Sequence, residues 1–354
     1  MSESSKENSL EKLRALGARL IESICDGKFP SIQIPDRSTA NIHFDSELNH
    51  FTLGDGFVIR DSSNIKHIRS FAQLVWVASF AKNLLQSGRT SSLRDLYYSA
   101  EAFDIDFKNQ AESDRIVTDL ECAIGLAREE FAIYSEEHSS IFGEVTMEYT
   151  APGYEGRQLD LTVSPDGLPI GPAIMTAEPL HTDANRILAV ESGGIFSRLI
   201  ESHAWRRFGS ILVHLGGQPP RSTRKLLRKL TESLDIPLYI FTDGDPWGMH
   251  IAQVIISGSA NAAHIPHLTV PSAEWIGITP QDIVDYKLPS ETLKGVDLKR
   301  LDELSNDVRY TSTFWQDHIR EFKEVRKKAE QQAFSRYGID FVVDTYLPDK
   351  LSLC

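Results

Sequence analysis

The chain has 354 residues, of which 41% are hydrophobic and 25% are charged. This length and composition predict two or three ordinary globular domains, so they exclude a wholly disordered, collagen-like or low-complexity protein. Fifty acidic residues against 37 basic ones give a net charge of −13, which excludes a protein that coats nucleic acid through its overall charge. A local basic patch is still compatible with this balance.

The cysteines and the apolar runs indicate the class of compartment. Cys25, Cys122 and Cys354 are far apart and odd in number, so they predict neither a disulfide framework nor a CxxC metal site. The first twenty residues are polar and mixed in charge, unlike a secretory signal. No run approaches the roughly 18 consecutive apolar residues of a membrane-spanning helix. We therefore expect a reduced, soluble, cytoplasmic protein without a membrane partner.

The first segment of the chain combines one helix with short strands. A helix is predicted over about 9–26, and the strands IQIP, NIHFD, HFTLG and FVIR follow, separated by turn residues. This pattern ends near residue 64. We therefore treat residues 1–64 as an N-terminal extension.

Three helices are predicted next. Apolar residues recur at helical spacing over 65–85, the second helix, SLRDLYYSAE, begins at Ser91 or Ser92, and the third follows Ser113, whose hydroxyl can cap it. FAIYSEE and IFGEVTMEY then alternate like a β-hairpin. Three helices followed by a hairpin are typical of a winged helix, so we assign 65–150 to a winged-helix domain.

A parallel sheet is predicted for the remainder, residues 151–354. RILAVE, GSILVHL and LYIFTDGD are short apolar runs, and each is followed by a helical segment. Strands that alternate with helices predict a parallel sheet with right-handed crossovers, flanked by helices. The expected fold class is therefore mixed α/β, with further helices toward the C-terminus.

Carboxylates follow two of these strands. Glu191 ends the first strand, and Asp243 and Asp245 end the third. Ligands of such sheets collect beyond the carboxyl ends of the strands, and carboxylates gathered there suit Mg²⁺. A DGD sequence alone is more often a turn, but Glu191, two strand–helix steps earlier, favours a metal site.

The sequence RDLYY on the second predicted helix is a candidate nucleophile site. A tyrosine hydroxyl has a pKa of about 10 and needs a cation beside it to attack phosphorus. Arg94 lies four residues before Tyr98, on the same helix face. Tyrosine pairs on helices more often pack than react, and the side chains of Tyr97 and Tyr98 point about 100° apart, so we expect one to pack and one to face a groove.

A basic run reverses the overall charge locally. Residues 201–230 hold seven basic residues against one acid, whereas residues 95–148 hold fourteen acids and three bases. The basic run is either a solvated helix face or a contact to DNA phosphates, and its position after a loop beside the predicted acids favours the DNA contact. The candidate DNA-binding residues are Arg221, Arg224, Lys225 and Arg228.

The motifs RDLYY, AVESGGIFSRL, VHLGGQPPRSTRKLLRKL and FTDGDPWGMHIA, in this order, resemble the family that contains the meiotic double-strand-break protein and the A subunit of DNA topoisomerase VI. The resemblance extends from IQIP to GITPQDIVDYKLP and covers most of the chain. It implies a CAP-like winged-helix domain that carries the tyrosine, followed by a Toprim domain that carries the acids.

The resemblance also implies roles for individual residues. The nucleophile corresponds to Tyr98, and Arg94 corresponds to the arginine before the tyrosine pair. The Toprim acids that hold Mg²⁺ correspond to Glu191, Asp243 and Asp245. Lysine often follows the glutamate in the family, whereas Ser192 follows it here, which removes a possible phosphate contact.

The implied function is that of the DNA-cleaving component of an ATP-dependent type IIB topoisomerase, which forms a 5′-phosphotyrosyl link to double-stranded DNA. The family works as a homodimer of A subunits, and we expect such an enzyme at the nucleoid. The sequence holds no Walker A or other nucleotide motif, so a separate GHKL-type ATPase, the B subunit, is implied to complete a heterotetramer. Two alternatives remain open: a meiotic-type break-forming protein without strand passage, and a non-catalytic DNA-binding scaffold.

Overall fold

The computed structural model describes residues 3–136 and 138–352. Cys25 is exposed and Cys122 is buried, and neither is in a disulfide, while Cys354 lies outside the described residues. No helix within the described ranges is both long enough and apolar enough to cross a bilayer.

The described residues form an alternating series of helices and strands. The α-helices are α1 (Glu3–Cys25), α2 (Ile68–Ser87), α3 (Leu93–Glu101), α4 (Gln110–Ile124), α5 (Pro172–Thr176), α6 (Gly193–Glu201), α7 (Ala204–Arg207), α8 (Arg221–Leu234), α9 (Pro246–Ser257), α10 (Pro280–Asp285), α11 (Gly295–Ser305), α12 (Thr313–Val325) and α13 (Leu347–Ser352). The strands are β1 (Ser31–Pro35), β2 (Ile42–Asp45), β3 (His50–Leu53), β4 (Phe57–Asp61), β5 (Ser91–Ser92), β6 (Ile133–Tyr134), β7 (Ser140–Phe142), β8 (Val145–Glu148), β9 (Gln158–Asp160), β10 (Leu168–Pro169), β11 (Glu178–Thr182), β12 (Arg186–Val190), β13 (Ser210–His214), β14 (Leu238–Phe241), β15 (Glu274–Gly277), β16 (Glu291–Thr292) and β17 (Lys327–Lys328). Short 3₁₀ turns lie at Thr39–Asn41, Arg128–Phe131, Ala260–Ala262, Val308–Tyr310 and Gln331–Tyr337, and a π-helical turn lies at Val342–Tyr346.

The C-terminal end of α2 and the N-terminal end of α3 follow from local sequence signals. Gly88 ends α2 in the left-handed conformation, at φ 65°, which glycine adopts without steric cost. Ser92 begins α3 through a capping box, in which its side chain accepts from the Asp95 N–H and the Asp95 side chain accepts from the Ser92 N–H. The prediction of a cap at Ser91 or Ser92 is therefore confirmed.

The predicted start of the third helix is wrong by one turn. Helix α4 begins at Gln110, and the Asn109 side chain accepts from the N–H of Glu112. The Ser113 hydroxyl lies inside the helix, where it donates to the Gln110 carbonyl. Asparagine is an effective N-cap, so the earlier capping residue determines the start of the helix.

The predicted hairpin after the third helix does not form. Strand β6 pairs in parallel with β5, whereas β7 pairs antiparallel with β13 in a larger sheet. Ile141 and Phe142 of β7 are buried there. An alternating strand satisfies its backbone equally well with either partner, and burial of these two side chains favours the larger sheet.

The large sheet has six strands in the order β10-β7-β13-β12-β14-β15. Its last four strands are parallel, as predicted, and β7 and β10 are antiparallel. Val190 is in register with both His214 and Phe241, so the carboxyl ends of three strands are level. Helices α6 and α7 contact β13, and α9 contacts β15.

The buried apolar side chains form two clusters. The first contains residues of α1, β1, α2, α3 and α4 and continues to Ile133. The second begins at Ile141, surrounds the large sheet and continues to Leu351. Part of the N-terminal extension therefore belongs to the first core, and the change from one core to the other occurs between residues 133 and 141.

A buried ion cluster joins the two cores, and we call its four residues the junction cluster. The Glu121 carboxylate on α4 has a fully buried side chain and accepts from Arg128 of its own core and, at 2.5 and 3.2 Å, from Arg221 at the start of α8. His264 Nε2 lies 3.1 Å from the same carboxylate. Burial raises the pKa of Glu121, but the hydrogen bond from His264 and the charges of Arg128 and Arg221 outweigh it and hold that pKa below the ordinary value.

The junction cluster predicts a large stability effect at one residue. Glu121→Gln should lower the free energy of unfolding by about 3–5 kcal/mol, because it leaves buried guanidinium groups without a counter-charge. Glu232→Gln is the control, since it removes only the exposed partner of Arg228 and should cost about 0–1 kcal/mol. Urea denaturation of the two variants measures the difference, and equal costs would contradict the assigned role of Glu121.

Candidate active site

The carboxyl edge of the large sheet brings two of the predicted acids into contact. Glu191 follows β12, and Asp243 follows the neighbouring strand β14. The Glu191 Oε2 atom accepts from the Asp243 N–H at 2.9 Å. Adjacent parallel strands of level register thus place residues 52 positions apart side by side.

Asp245 is held by the start of helix α9. Its Oδ1 atom accepts from the N–H groups of Trp247 at 2.8 Å and Gly248 at 2.7 Å, and Pro246 occupies the first turn. A side chain at position 248 would overlap the carbonyl oxygen of Asp243. The sequence DGDPWG therefore produces a tight turn from strand to helix that keeps both aspartates at one edge.

A segment that the sequence analysis missed lies across this edge, and we call residues 327–333 the strap. Gly244 and Ala329 exchange two backbone hydrogen bonds, of 2.8 and 3.1 Å. The Gln331 N–H donates to Asp243 Oδ1 at 2.8 Å, and its side-chain oxygen accepts from the Ser192 N–H at 2.7 Å. Gln332 donates to the Ser192 hydroxyl at 2.7 Å. The strap therefore fixes the backbone around both acid-bearing turns.

The acids at this edge disfavour their own ionisation. Burial, followed by the charge of Asp243, raises the pKa of Glu191 to about 7. Burial and the charge of Asp245 raise the pKa of Asp243 to about 6, and burial also raises the pKa of Asp245. Raised carboxylate pKa values in a cleft indicate a functional site, because a cation would relieve the cost of ionisation.

The donor set fits a hard divalent cation such as Mg²⁺. Each of the three acids uses one oxygen for a backbone N–H, and in the described residues the other oxygen, Oε1 of Glu191 or Oδ2 of Asp243 and Asp245, accepts no hydrogen bond. Within the same residues, no three acid, histidine or cysteine side chains are close enough together to enclose a metal ion. Mg²⁺ in nucleotidyl and phosphoryl sites usually takes only one or two carboxylates, with waters and phosphate oxygens as its other ligands.

The candidate nucleophile lies in a different cleft. The Tyr98 side chain on α3 is 54% exposed, whereas Tyr97 packs against the first core. The cleft, of about 470 Å³, is lined by Leu93, Arg94, Tyr97, Tyr98, Gln110, Ser135, Glu136 and His138. Glu136 lies 3.9 Å from the Arg94 guanidinium. The separation of the tyrosine pair into one packed and one accessible ring agrees with the geometry expected of RDLYY.

The tyrosine cleft and the acid cleft are separate within one chain. A cleft of about 670 Å³ beside the acids is lined by Asp243, Asp245, most of the strap, residues 289–291 and Arg336. Among the described residues, none lines both clefts. The structure therefore brings Glu191 and Asp243 into contact, with Asp245 at the same edge, but does not bring Tyr98 to them.

Most of the predicted DNA-binding residues point toward protein groups. Arg221 bonds to Glu121, and Arg228 bonds to Glu232 and to the Thr269 carbonyl. Arg224 is 6% exposed, and burial together with the charge of Arg221 lowers its pKa to about 10. Lys225 is partly exposed. Net charge along a sequence does not show which way a side chain points. For this reason the basic run suggested that more of these side chains face solvent than the structure shows.

Comparisons with known proteins match both halves of the chain to one family. The family profile for the Toprim domain of Spo11 and the topoisomerase 6 A subunit matches residues 186–351, and the profile described as "Type IIB DNA topoisomerase" matches residues 69–133. Proteins named as the A subunit of type 2 DNA topoisomerase 6 are 41% identical in Methanothermobacter thermautotrophicus, 38% in Halobacterium salinarum and 37% in Archaeoglobus fulgidus. These alignments cover 98%, 99% and 98% of this chain and 98%, 97% and 98% of the relatives, respectively.

The raised pKa of Glu191 predicts a pH-dependent stability effect without metal. A folded pKa of about 7, above the ordinary value of 4.5, means that stability is full below about pH 4.5 and is lost as the pH rises through 7. In EDTA, Glu191→Gln should therefore be more stable than the parent chain at pH 8, by about 1–3 kcal/mol at roughly 1.4 kcal/mol per pKa unit. Urea denaturation at pH 5 and pH 8 measures this.

The exposed Glu274 provides the control for that measurement, since Glu274→Gln removes a similar charge far from the acid edge. The Glu274→Gln variant should lose as much stability between pH 5 and pH 8 as the parent chain does. A Glu191→Gln variant with the same pH dependence as the parent would contradict the assigned cause.

Proposed function

The chain belongs to the family of type IIB DNA topoisomerase A subunits, and we propose that Tyr98 is its nucleophile and that Glu191, Asp243 and Asp245 hold its Mg²⁺. As a member of this family, the chain is the DNA-cleaving component of a type IIB DNA topoisomerase. The observation that carries the residue assignment is an accessible tyrosine beside an arginine on α3, together with three acids whose ionisation is disfavoured at one sheet edge.

The proposed cleavage is a transesterification. The Tyr98 hydroxyl loses its proton and its oxygen attacks a backbone phosphorus, while the bond from phosphorus to the 3′ oxygen breaks. The 3′ oxygen takes up a proton, so the products are a tyrosine ester of the 5′ phosphate and a free 3′ hydroxyl. Because one phosphodiester bond replaces another, the energy of the bond is retained and rejoining is the reverse step. Arg94, which lines the same cleft, would favour the tyrosinate and contact the phosphate.

The carboxylates have a separate task in this proposal. Glu191, Asp243 and Asp245 would hold the ion, and the strap would keep Asp243 oriented through the Gln331 N–H. Bound Mg²⁺ supplies positive charge that stabilises the charge developing on the phosphoryl oxygens. Glu136, 3.9 Å from Arg94, gives that guanidinium a partner while no phosphate is present.

We also propose the division of labour among the domains. Residues 65–150 would supply the CAP-like winged helix, which is supported by helices α2 to α4. The antiparallel pair of β1 and β4, from residues 1–64, would take the place of the predicted hairpin, with β1 against α4. Residues 1–64 would extend this unit. Residues 151–354 would supply the Toprim domain and its C-terminal elaboration, with β7 and β8 contributed from the preceding segment.

The partners follow from the same proposal. The substrate is double-stranded DNA, and two A chains form a homodimer in which each Tyr98 meets the acids of the other chain, supported by the separation of the two clefts. A GHKL-type ATPase, the B subunit, would supply the ATP-dependent step in a heterotetramer. Such an enzyme would work at the chromosome, and therefore at the nucleoid.

We propose different roles for the residues of the basic run. Lys225 and Arg228, which are partly exposed, would contact DNA phosphates directly. Arg221 and Arg224 would act indirectly, because Arg221 fastens α8 to α4 and Arg224 is buried.

The nucleophile assignment is tested by two phenylalanine substitutions in the chain assembled with a B subunit. Tyr98→Phe should abolish the covalent DNA adduct, because the attacking oxygen is gone, and should leave folding unchanged, because the ring is largely exposed. Tyr97→Phe is the matched control and should retain the adduct. Denaturant-trapped adducts measure both, and persistence of the adduct in Tyr98→Phe would move the assignment to another residue.

A further inference from the structure

Lys328 lies in the acid cleft, and neither the sequence motifs nor the proposed chemistry gives it a role. It belongs to the strap, at β17, and lines the same cleft as Asp243 and Asp245. Its Nζ atom lies 3.2 and 3.5 Å from the two carboxylate oxygens of Asp297. It is also close enough to Asp245 for its charge to favour the ionised form of that carboxylate.

The position of this ammonium group is fixed from several sides. Lys328 pairs with Glu291 in the β16–β17 ladder, and the next residue, Ala329, bonds to Gly244 of the acid turn. Asp297 is 2% exposed and its Oδ2 atom also accepts from the Lys294 N–H at 2.8 Å, so the counter-ion is itself immobile. A surface lysine usually has free rotation, whereas this one is 22% exposed and held before any ligand binds.

Several acids line the cleft, and the positive charge of Lys328 can offset their repulsion of a DNA phosphate. Asp243, Asp245, Glu291 and Glu330 line it against two basic residues, Lys328 and Arg336, so these acids would repel a DNA phosphate that enters. A cation beside the carboxylates lowers that repulsion and gives the phosphate a direct partner. A lysine ammonium is well suited to this, because it is a compact charge with three donors, and a single carboxylate does not use them all.

We propose that Lys328 is a further substrate-binding residue, whose ammonium group contacts a DNA phosphate at the acid edge. This inference rests on the proposed function of that edge in DNA cleavage. The same contact would place a fixed positive charge next to the phosphate on which charge develops, independently of the ion held by the acids.

The proposal predicts a change in the salt dependence of DNA binding. For the full chain in EDTA, Lys328→Gln should lower the slope of log Kobs against log salt concentration by about 0.9 per chain, because one phosphate contact is lost. Lys327→Gln is the matched control, since it removes the same charge from the neighbouring, exposed residue of β17, whose side chain points to the opposite face. Lys328→Arg should retain the slope of the parent chain.

A structural role for Lys328 makes a different prediction. If Lys328 only neutralises Asp297, then Lys328→Gln lowers the melting temperature and leaves the slope unchanged, which would overturn the proposal. Lys328→Met, which keeps the aliphatic stem, is the second variant in case the glutamine variant does not fold. Failure of both variants to fold would identify a structural counter-ion and would also overturn the proposal.

The measurement separates this inference from the proposed function. The slope is measured without metal and therefore without cleavage. A parent chain that forms the covalent adduct, together with a Lys328→Gln variant of unchanged slope, would overturn the role of Lys328 alone. Absence of any adduct from the parent chain assembled with a B subunit would instead overturn the cleavage function assigned to Tyr98 and the acids.

Discussion

The constraint on which the architecture depends is the buried carboxylate of Glu121. It lies on α4 in the first core, and its partners come from both cores: Arg128 from the first, Arg221 and His264 from the second. Sliding the cores apart would leave buried charges without partners, which costs several kcal/mol, so the two cores are held in one relative position. Helix α3, which carries Tyr98, packs on α4, so this carboxylate helps to fix the position of Tyr98 relative to the sheet.

A second constraint operates at the carboxyl edge of the large sheet, where the acids lie close together although burial and their neighbouring charges disfavour ionisation. Burial, together with neighbouring carboxylate charge, raises the pKa of both Glu191 and Asp243, so their ionisation carries a cost in the folded chain. The strap prevents the acids from turning away to relieve it, since its backbone N–H groups hold Asp243 and the turn at Gly244. Under the proposed function a bound cation would relieve this cost, and for that reason we propose that the acids, the strap and Lys328 form one site.

The sequence predicted much of this structure where local signals were sufficient. Ser92 with Asp95, and Gly88 after an apolar helix, determine helix ends from neighbouring residues, and the apolar runs before Glu191 and Asp243 determine a parallel sheet. The wrong predictions concern choices between equivalent partners. Asn109 displaced Ser113 as the cap. Strand β7 joined the large sheet because Ile141 and Phe142 are buried there, and its partner, β13, is too distant in sequence for local signals to identify.

The parts of the site that the sequence did not predict also depend on partners that are distant in sequence. Gln331 is 88 residues from Asp243, and Lys328 is similarly distant from Asp245, whose ionised form its charge favours. Nothing in the polar segment KKAEQQ indicates either target. For Arg221, the sequence drew attention to the charge but could not identify the partner, because Glu121 lies 100 residues away. Charge and composition predict that a group will find a partner, but the identity of a distant partner depends on the packing of both cores.

The tyrosine and the acids lie apart within one chain, and we propose that each cleavage site therefore forms between two chains. The decisive experiment combines Tyr98→Phe and Asp243→Ala chains in one dimer, assembled with a B subunit, with each variant alone as the control. We expect no adduct from either variant alone, and adducts on one DNA strand from the mixed dimer, because one of its two sites has both an intact tyrosine and intact acids. A mixed dimer that forms no adduct, under conditions in which parent chains do, would contradict this arrangement.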